Sequence, residues 1–201
     1  MSLVIDYYLA PQSPWTYFGH ARLVQMARQA GATVRIMPVD LGGQIFPATG
    51  GLPVGQRPPQ RQAYRMVELQ RFSHFLQMPL NLKPQFFPVA GDDAARLIIA
   101  VDQHDGVDTA LKVCGAVLAA VWVQERDIAN ASVLQEILHE QGIAADRWTA
   151  AQAPAAQDAY MAYTRQALDA GVFGAPSFVV DGEIFWGQDR LEFLQRRLQA
   201  V

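Results

Sequence analysis

The opening run LVIDYYL, residues 3–9, is almost continuously apolar or aromatic, the pattern of a strand covered on both faces. From residue 14 the period changes. Tyr17, Ala21 and Val24 recur at i, i+4 and i+7, and Gly31 follows as a stop, which predicts a helix over 14–30. In TVRIMPVDL, residues 33–41, Val34 and Ile36 alternate around Arg35, as in a second strand. The chain therefore opens β-α-β, and the right-handed crossover rule lets its two strands lie parallel.

A Gly/Pro-rich stretch, GGQIFPATGGLPVGQRPP at 42–59, then reads as a long functional or mobile loop. The middle of the chain is helical in pattern, with helices expected near 60–76, 92–104, 107–125, 130–141 and 155–170. The tail GVFGAPSFVVDGEIFWG changes character again. It predicts a Pro-containing turn, a strand at 177–181, the turn pair Asp181-Gly182 and a strand at 183–186; QDRLEFLQRRLQ closes as a helix. The expected class is α/β, with both chain ends joined in one small mixed sheet and the intervening helices forming a second lobe.

Composition narrows the function classes. The chain has 201 residues, 51% of them apolar and 17% charged, enough for one compact unit or two small ones without a metal or disulfide staple. The net charge of −3 comes with no basic stripe, so no nucleic-acid partner is expected. The longest apolar run, ALKVCGAVLAAVWV at 110–123, is short and carries Lys112; it reads as a buried helix, and no membrane association is expected. The start MSLVIDYY has no basic region ahead of an apolar stretch, which gives a cytoplasmic expectation. Cys114 is the single cysteine, so neither an intrachain disulfide nor a C-x-x-C redox pair exists, and its apolar helical setting predicts an inert buried thiol. His20, His74, His104 and His139 lack ligand-like spacing; they are expected on exposed or helix-face positions, with no metal site.

Three stretches carry candidate chemistry. Ser13-Pro14 in QSPWTYFG is a helix start, with Ser as N-cap and Pro at the first helical position. The same geometry offers a hydroxyl and free N–H groups to an anion, including a thiolate. The two roles are compatible. In GAPSF, residues 174–178, Pro176 either completes a plain turn or is cis and leaves the Ala175 backbone open to pair with a peptide-like ligand. In WGQDRLEF, residues 186–193, Asp189 and Glu192 form a capping-box pattern. Backbone N–H groups at 188–190 there also suit a carboxylate, and the Asp189 side chain an ammonium group. Phe72, Phe75, Phe86 and Phe87 read as core, some of them lining a pocket.

The stretches DYYLAPQSPWTYFG, ELQRF and above all GVFGAPSFVVDGEIFWGQDRLEFL resemble the family of 2-hydroxychromene-2-carboxylate isomerases and kappa-class glutathione transferases, related to the periplasmic disulfide oxidoreductases. The likeness spans essentially the whole chain. It implies a thioredoxin-like fold with a large inserted all-helical domain: residues 1–58 and 171–201 forming the discontinuous thioredoxin-like domain, residues 59–170 the insertion. It also implies a homodimer and glutathione as cofactor. By the family pattern Ser13 faces the glutathione sulfur, Ala175 before cis-Pro176 pairs with its cysteinyl part, and Trp186, Gly187, Gln188 and Asp189 hold its γ-glutamyl end. The implied reaction is the glutathione-dependent cis/trans isomerisation of a small aromatic carboxylate through reversible thiolate addition. A kappa-like transferase and a non-catalytic glutathione or peptide binder are the alternatives. In the slot where the disulfide enzymes carry C-P-x-C, this chain has Ser13 and Thr16.

The substrate side departs from the family pattern. Pro47 stands where Lys is expected, Gly51 where Asn is common, Phe86 where a Tyr hydroxyl meets substrate, and Ala10 where Asp is frequent. Phe86 and Arg57 are the candidate substrate contacts, with Arg61 and Arg65 as further sources of the missing positive charge.

Overall fold

The computed structural model describes residues 3–200. Strand β1 (Val4–Leu9) leads through a short turn into helix α1 (Pro14–Ala30), and Gly31, left-handed at φ 62°, closes the helix before β2 (Thr33–Pro38). β2 pairs parallel with β1, and Tyr7 stands opposite Ile36. At the other end of the chain β3 (Ser177–Val180) pairs antiparallel with β1, and β4 (Glu183–Trp186) antiparallel with β3. The sheet order is β2-β1-β3-β4, so the two chain ends do meet in one mixed sheet. The last strands are joined by Asp181-Gly182, both at positive φ, as a tight hairpin requires.

Between the halves lie α2 (Phe46–Thr49), α3 (Pro59–Leu76), α4 (Asp92–Asp105), α5 (Val107–Trp122), α6 (Ala131–Glu140), α7 (Asp146–Ala151) and α8 (Pro154–Asp169), and α9 (Leu191–Gln199) ends the chain. Alternation along β1 sends Ile5, Tyr7 and Leu9 to one face of the sheet, where they join Val34, Ile36, Phe178 and Phe185 in a core shared with α1, α4, α5 and α9. Tyr8 goes to the other face, with Met37, Val39 and Val179, and packs with Ala167 of α8. Both faces are therefore covered, which is why β1 reads as an unbroken apolar run.

Three local expectations change. Residues 41–56 are not an open loop: they coil into a π-helical turn at 41–45, then α2, then a 3-10 turn at Val54–Gln56. Asp40 fastens the first turn by accepting the Gly43 N–H at 2.7 Å, while its own N–H donates to Thr164 Oγ1 on α8 at 3.0 Å. Helix α7 has only six residues and lies between alanine-rich flanks, so it shows no apolar period of its own. And α5 stops at Trp122, short of residue 125, because the Asn81 N–H takes the Trp122 carbonyl at 2.8 Å.

His20 also departs from expectation. It is buried between β1 and α5. Its Nε2 lies 2.8 Å from the Leu111 carbonyl oxygen, which only accepts, so Nε2 carries the proton; Nδ1 then accepts from the Tyr7 hydroxyl at 3.2 Å. Burial pushes the imidazole pKa down to about 4. Cys114 is fully buried, as its setting in the sequence predicts, and burial pushes its thiol pKa up. No helix among the described residues is long and apolar enough to cross a membrane.

Candidate active site

The pairing pattern brings the candidate residues to one end of the sheet. β1 and β2 run in the same direction, Tyr8 at the end of β1 faces Ser177 at the start of β3, and Ser177 faces Trp186 at the end of β4. Ser13 leaves the end of β1, Ala175 and Pro176 enter β3, Gly187 to Asp189 leave β4, and the segment carrying Arg57 leaves β2. All four therefore issue from the same edge.

Ser13 is the N-cap of α1. Its Oγ accepts the Thr16 N–H at 3.2 Å, and its carbonyl takes the Tyr17 N–H. Pro14 has no N–H to satisfy. That leaves Trp15 as the first-turn residue whose N–H has no partner among the described residues. The Ser13 O–H likewise donates to no protein group among the described residues. The cap uses the hydroxyl's lone pair, so its proton remains free. Accepting a hydrogen bond also makes a hydroxyl a better donor, because chained hydrogen bonds polarise one another. Ser13 keeps 8% exposure, whereas Thr16 is fully buried with its hydroxyl unpartnered. Of the two residues in the C-P-x-C slot, only Ser13 keeps any exposure.

The Ala175-Pro176 bond is cis, so of the two possibilities in the sequence the open-backbone one is present. Pro176 itself is tied down, its carbonyl accepting the Gly187 N–H at 2.9 Å. Neither the N–H nor the C=O of Ala175 has a partner among the described residues, although the residue is buried. Buried backbone groups are nearly always paired, so this open pair suits an extended peptide. Ser177 donates its hydroxyl to the Gly174 carbonyl at 2.7 Å and holds the turn. An added Cβ at Gly174 would overlap the Trp186 indole where it now lies, so a side chain there requires the indole to shift.

Residues 186–189 do not form the expected capping box. Gly187, at φ 101°, starts a 3-10 turn over Gln188–Arg190; the Arg190 N–H takes the Gly187 carbonyl, and α9 begins at Leu191 without a side-chain cap. Asp189 thus sits inside the turn, too late to cap it. Its carboxylate instead pairs with Arg190 at 2.7 Å and folds back over Gly187, where a Cβ would come within 2.5 Å of Asp189 Oδ1. Gln188 is buried against α1: Arg22 Nη1 donates to its Oε1 at 2.8 Å and to its carbonyl at 3.2 Å. The Gln188 and Asp189 N–H groups have no partner among the described residues. Of the three N–H groups at 188–190 expected to suit a carboxylate, two are therefore open and the Arg190 one is spent within the turn, while the Gln188 side chain is spent on packing. Trp186 is half exposed, edge-on to Phe173 with centroids 4.7 Å apart.

On the substrate side, Phe86 is 37% exposed, while its neighbour Phe87 packs on Trp122 with centroids 4.9 Å apart. Arg57 is held by its Nε–H to the Leu52 carbonyl at 2.9 Å. The Gly51 departure has a steric reason, since any side chain there would run into the Phe46 ring. Pro47 lies in the first turn of α2, where proline is tolerated. The free N–H groups expected at the start of α1 narrow to one, that of Trp15. The clue was Pro14 itself, which shifts the unsatisfied N–H one residue onward.

A family model described as the DSBA-like thioredoxin domain matches residues 4–199. A 2-hydroxychromene-2-carboxylate isomerase of Sphingobium xenophagum is 29% identical over 199 residues, covering 98% of this chain and 99% of that one. Among solved structures, a 2-hydroxychromene-2-carboxylate isomerase superposes with a TM-score of 0.77 at 24% identity, over 98% of this chain and 95% of that one. The cytosolic disulfide reductase DsbM from Pseudomonas aeruginosa, solved with GSH, gives 0.69 at 19% identity, over 98% of this chain and all (100%) of that one.

Proposed function

The chain belongs to the DSBA-like thioredoxin domain family, and from that premise we propose that it is a glutathione-dependent isomerase of the 2-hydroxychromene-2-carboxylate type. The full-length likeness to a protein of that name supports the reaction class. The observation that carries the reading is the state of Ser13. Its hydroxyl caps α1 as an acceptor and keeps its proton, beside the unpartnered Trp15 N–H, in a chain whose only thiol is buried. Such a site stabilises a sulfur anion it does not own.

The residues present fit glutathione. Ala175 offers both backbone groups to a cysteinyl unit, and the Gln188 and Asp189 N–H groups offer donors to an α-carboxylate. The half-exposed Asp189 carboxylate accepts from an ammonium group. When bound, glutathione supplies a thiolate that adds to a conjugated double bond and leaves again, so that the bond rotates in between. Ser13 and Trp15 hold the sulfur as its anion by donating O–H and N–H, with the partial positive charge of the α1 N-terminus behind them. The exposed Phe86 ring offers an apolar face to an aromatic substrate.

The test is product analysis with trans-o-hydroxybenzylidenepyruvate and glutathione. Isomerisation with the free thiol fully recovered is expected. Loss of thiol in step with substrate would instead mark a transferase, and glutathione binding without turnover a binder. Asp189→Ala is expected to raise the Kd for glutathione about 5-fold, since an exposed, partly shared carboxylate is worth about 1 kcal/mol. Calorimetry giving an unchanged Kd would remove Asp189 from the γ-glutamyl end.

A further inference from the structure

Among the described residues Arg65 is the arginine that is both buried and without an acid. It lies on α3, is only 8% exposed, and takes part in no salt bridge. Its single polar contact is weak, from Nη1 to the Met66 thioether at 3.9 Å. Its Nη2 is buried with no partner. The guanidinium carbon sits 5.2 Å from the Phe87 ring centroid and 5.9 Å from that of Trp122, whose Nε1 is also buried and unpartnered. The charge that acts on it is that of another cation, Arg57. Arg28, Arg35, Arg71, Arg96, Arg126, Arg147, Arg190 and Arg197, by contrast, all have carboxylate partners. A buried charge is ordinarily neutralised by a partner; two orphaned donors beside two cations ask for an acceptor with two oxygens.

The position of the cluster gives it a purpose. Arg65, Leu69 and Phe72 share one face of α3, and Phe72 packs edge-on to Trp15 at 5.9 Å, two residues past Ser13. Four residues on from Phe87, Gly91 abuts the Gln12 side chain, directly before Ser13. Both elements that frame Arg65 therefore also touch the start of α1. Phe86, 37% exposed, directly precedes Phe87 in the chain, and Arg57 is close enough for its charge to act on Arg65.

We propose that Arg65, with Trp122 Nε1 and Arg57 beside it, is the subsite for the carboxylate of the molecule that meets the thiolate, an aromatic 2-oxo acid whose ring lies along Phe86 and Phe87. It supplies from α3 the positive charge absent at Pro47. The inference rests on the proposed isomerase reading only for the identity of that acid; the anion site stands on the orphaned guanidinium. A planar guanidinium suits the task, since it presents two parallel donors to two carboxylate oxygens.

The test needs no turnover. Calorimetry on the full chain without glutathione uses benzylidenepyruvate, its uncharged analogue benzylideneacetone and, in a separate arm, glutathione. Arg65→Met is expected to weaken benzylidenepyruvate about 30-fold or more, as loss of one partner of a buried charge pair does, and to leave benzylideneacetone unchanged. Arg65→Lys recovers part of the loss. The apo melting temperature of Arg65→Met should match or exceed wild type, because an unpaired buried charge has gone. A loss confined to glutathione would still assign the carboxylate site, with the glutathione glycyl end as its source. Unchanged binding of both acids by Arg65→Met overturns the proposal, and Arg65→Gln decides in the same way if the methionine variant does not fold. Failure of the isomerase reading shows up separately, as no turnover by a wild type that still binds the acid through Arg65.

Discussion

Ser13→Ala is expected to slow the thiolate-dependent reaction roughly 10- to 150-fold and to leave the fold in place. The hydroxyl donates to no group among the described residues, so its proton is available to a bound sulfur. A hydrogen bond to a charged group is worth about 1.5–3 kcal/mol, which is that range of rate. The deficit should grow as pH falls, because without the Ser13 donor the sulfur binds its proton more tightly. The same substitution deletes the acceptor of the Thr16 N–H, and loss of an N-cap costs about 1 kcal/mol of stability. The two effects separate cleanly. Urea denaturation reads the cap, and kcat/KM for glutathione against pH reads the donor. A variant that loses the stability and keeps the full rate would make Ser13 a cap and nothing more.

A second large effect is expected from His20, a buried residue of α1. The folded chain holds it neutral: Nε2–H to the Leu111 carbonyl, Nδ1 accepting from Tyr7, and burial lowering its pKa to about 4. In the unfolded chain the pKa is about 6.5. Between those values the unfolded state binds more protons, so stability falls as pH falls. The contribution is complete above pH 6.5 and lost by about pH 4. From pH 7.5 to pH 5 the loss comes to about 2 kcal/mol. Urea midpoints at the two pH values test it, with His20→Gln as the reference that lacks this titration. Equal pH slopes in the two proteins would mean that His20 is not the buried group responsible.

Both expectations show what the sequence could and could not disclose. The strands and the long helices are legible because their periods are set by burial: β1 is apolar throughout since both faces of the sheet are covered, and α1 is bracketed by Ser13 and Gly31. Ser13 is legible as a cap because Ser followed by Pro is a helix start. What fails are readings that depend on partners distant in sequence. His20 looks like a surface residue until Tyr7 and Leu111 close on it. Asp189 looks like a cap until Gly187 opens the turn two residues earlier. Residues 41–56 look loose by composition, yet Asp40 reaches across to α8 and winds them up. Arg65 is one of several arginines in its stretch, and only the packing of Phe87 and Trp122 sets it apart.

The burial of Cys114 gives the protein an intrinsic reporter of its own opening. With the sole sulfhydryl fully enclosed by α5 and its neighbours, an alkylating reagent reacts only with molecules that have come apart. The labelling rate under native conditions therefore measures the population of the open form, without a probe being introduced. Because Cys114 is the single cysteine, a new one placed at an exposed position would accept a dye or spin label while Cys114 stays silent.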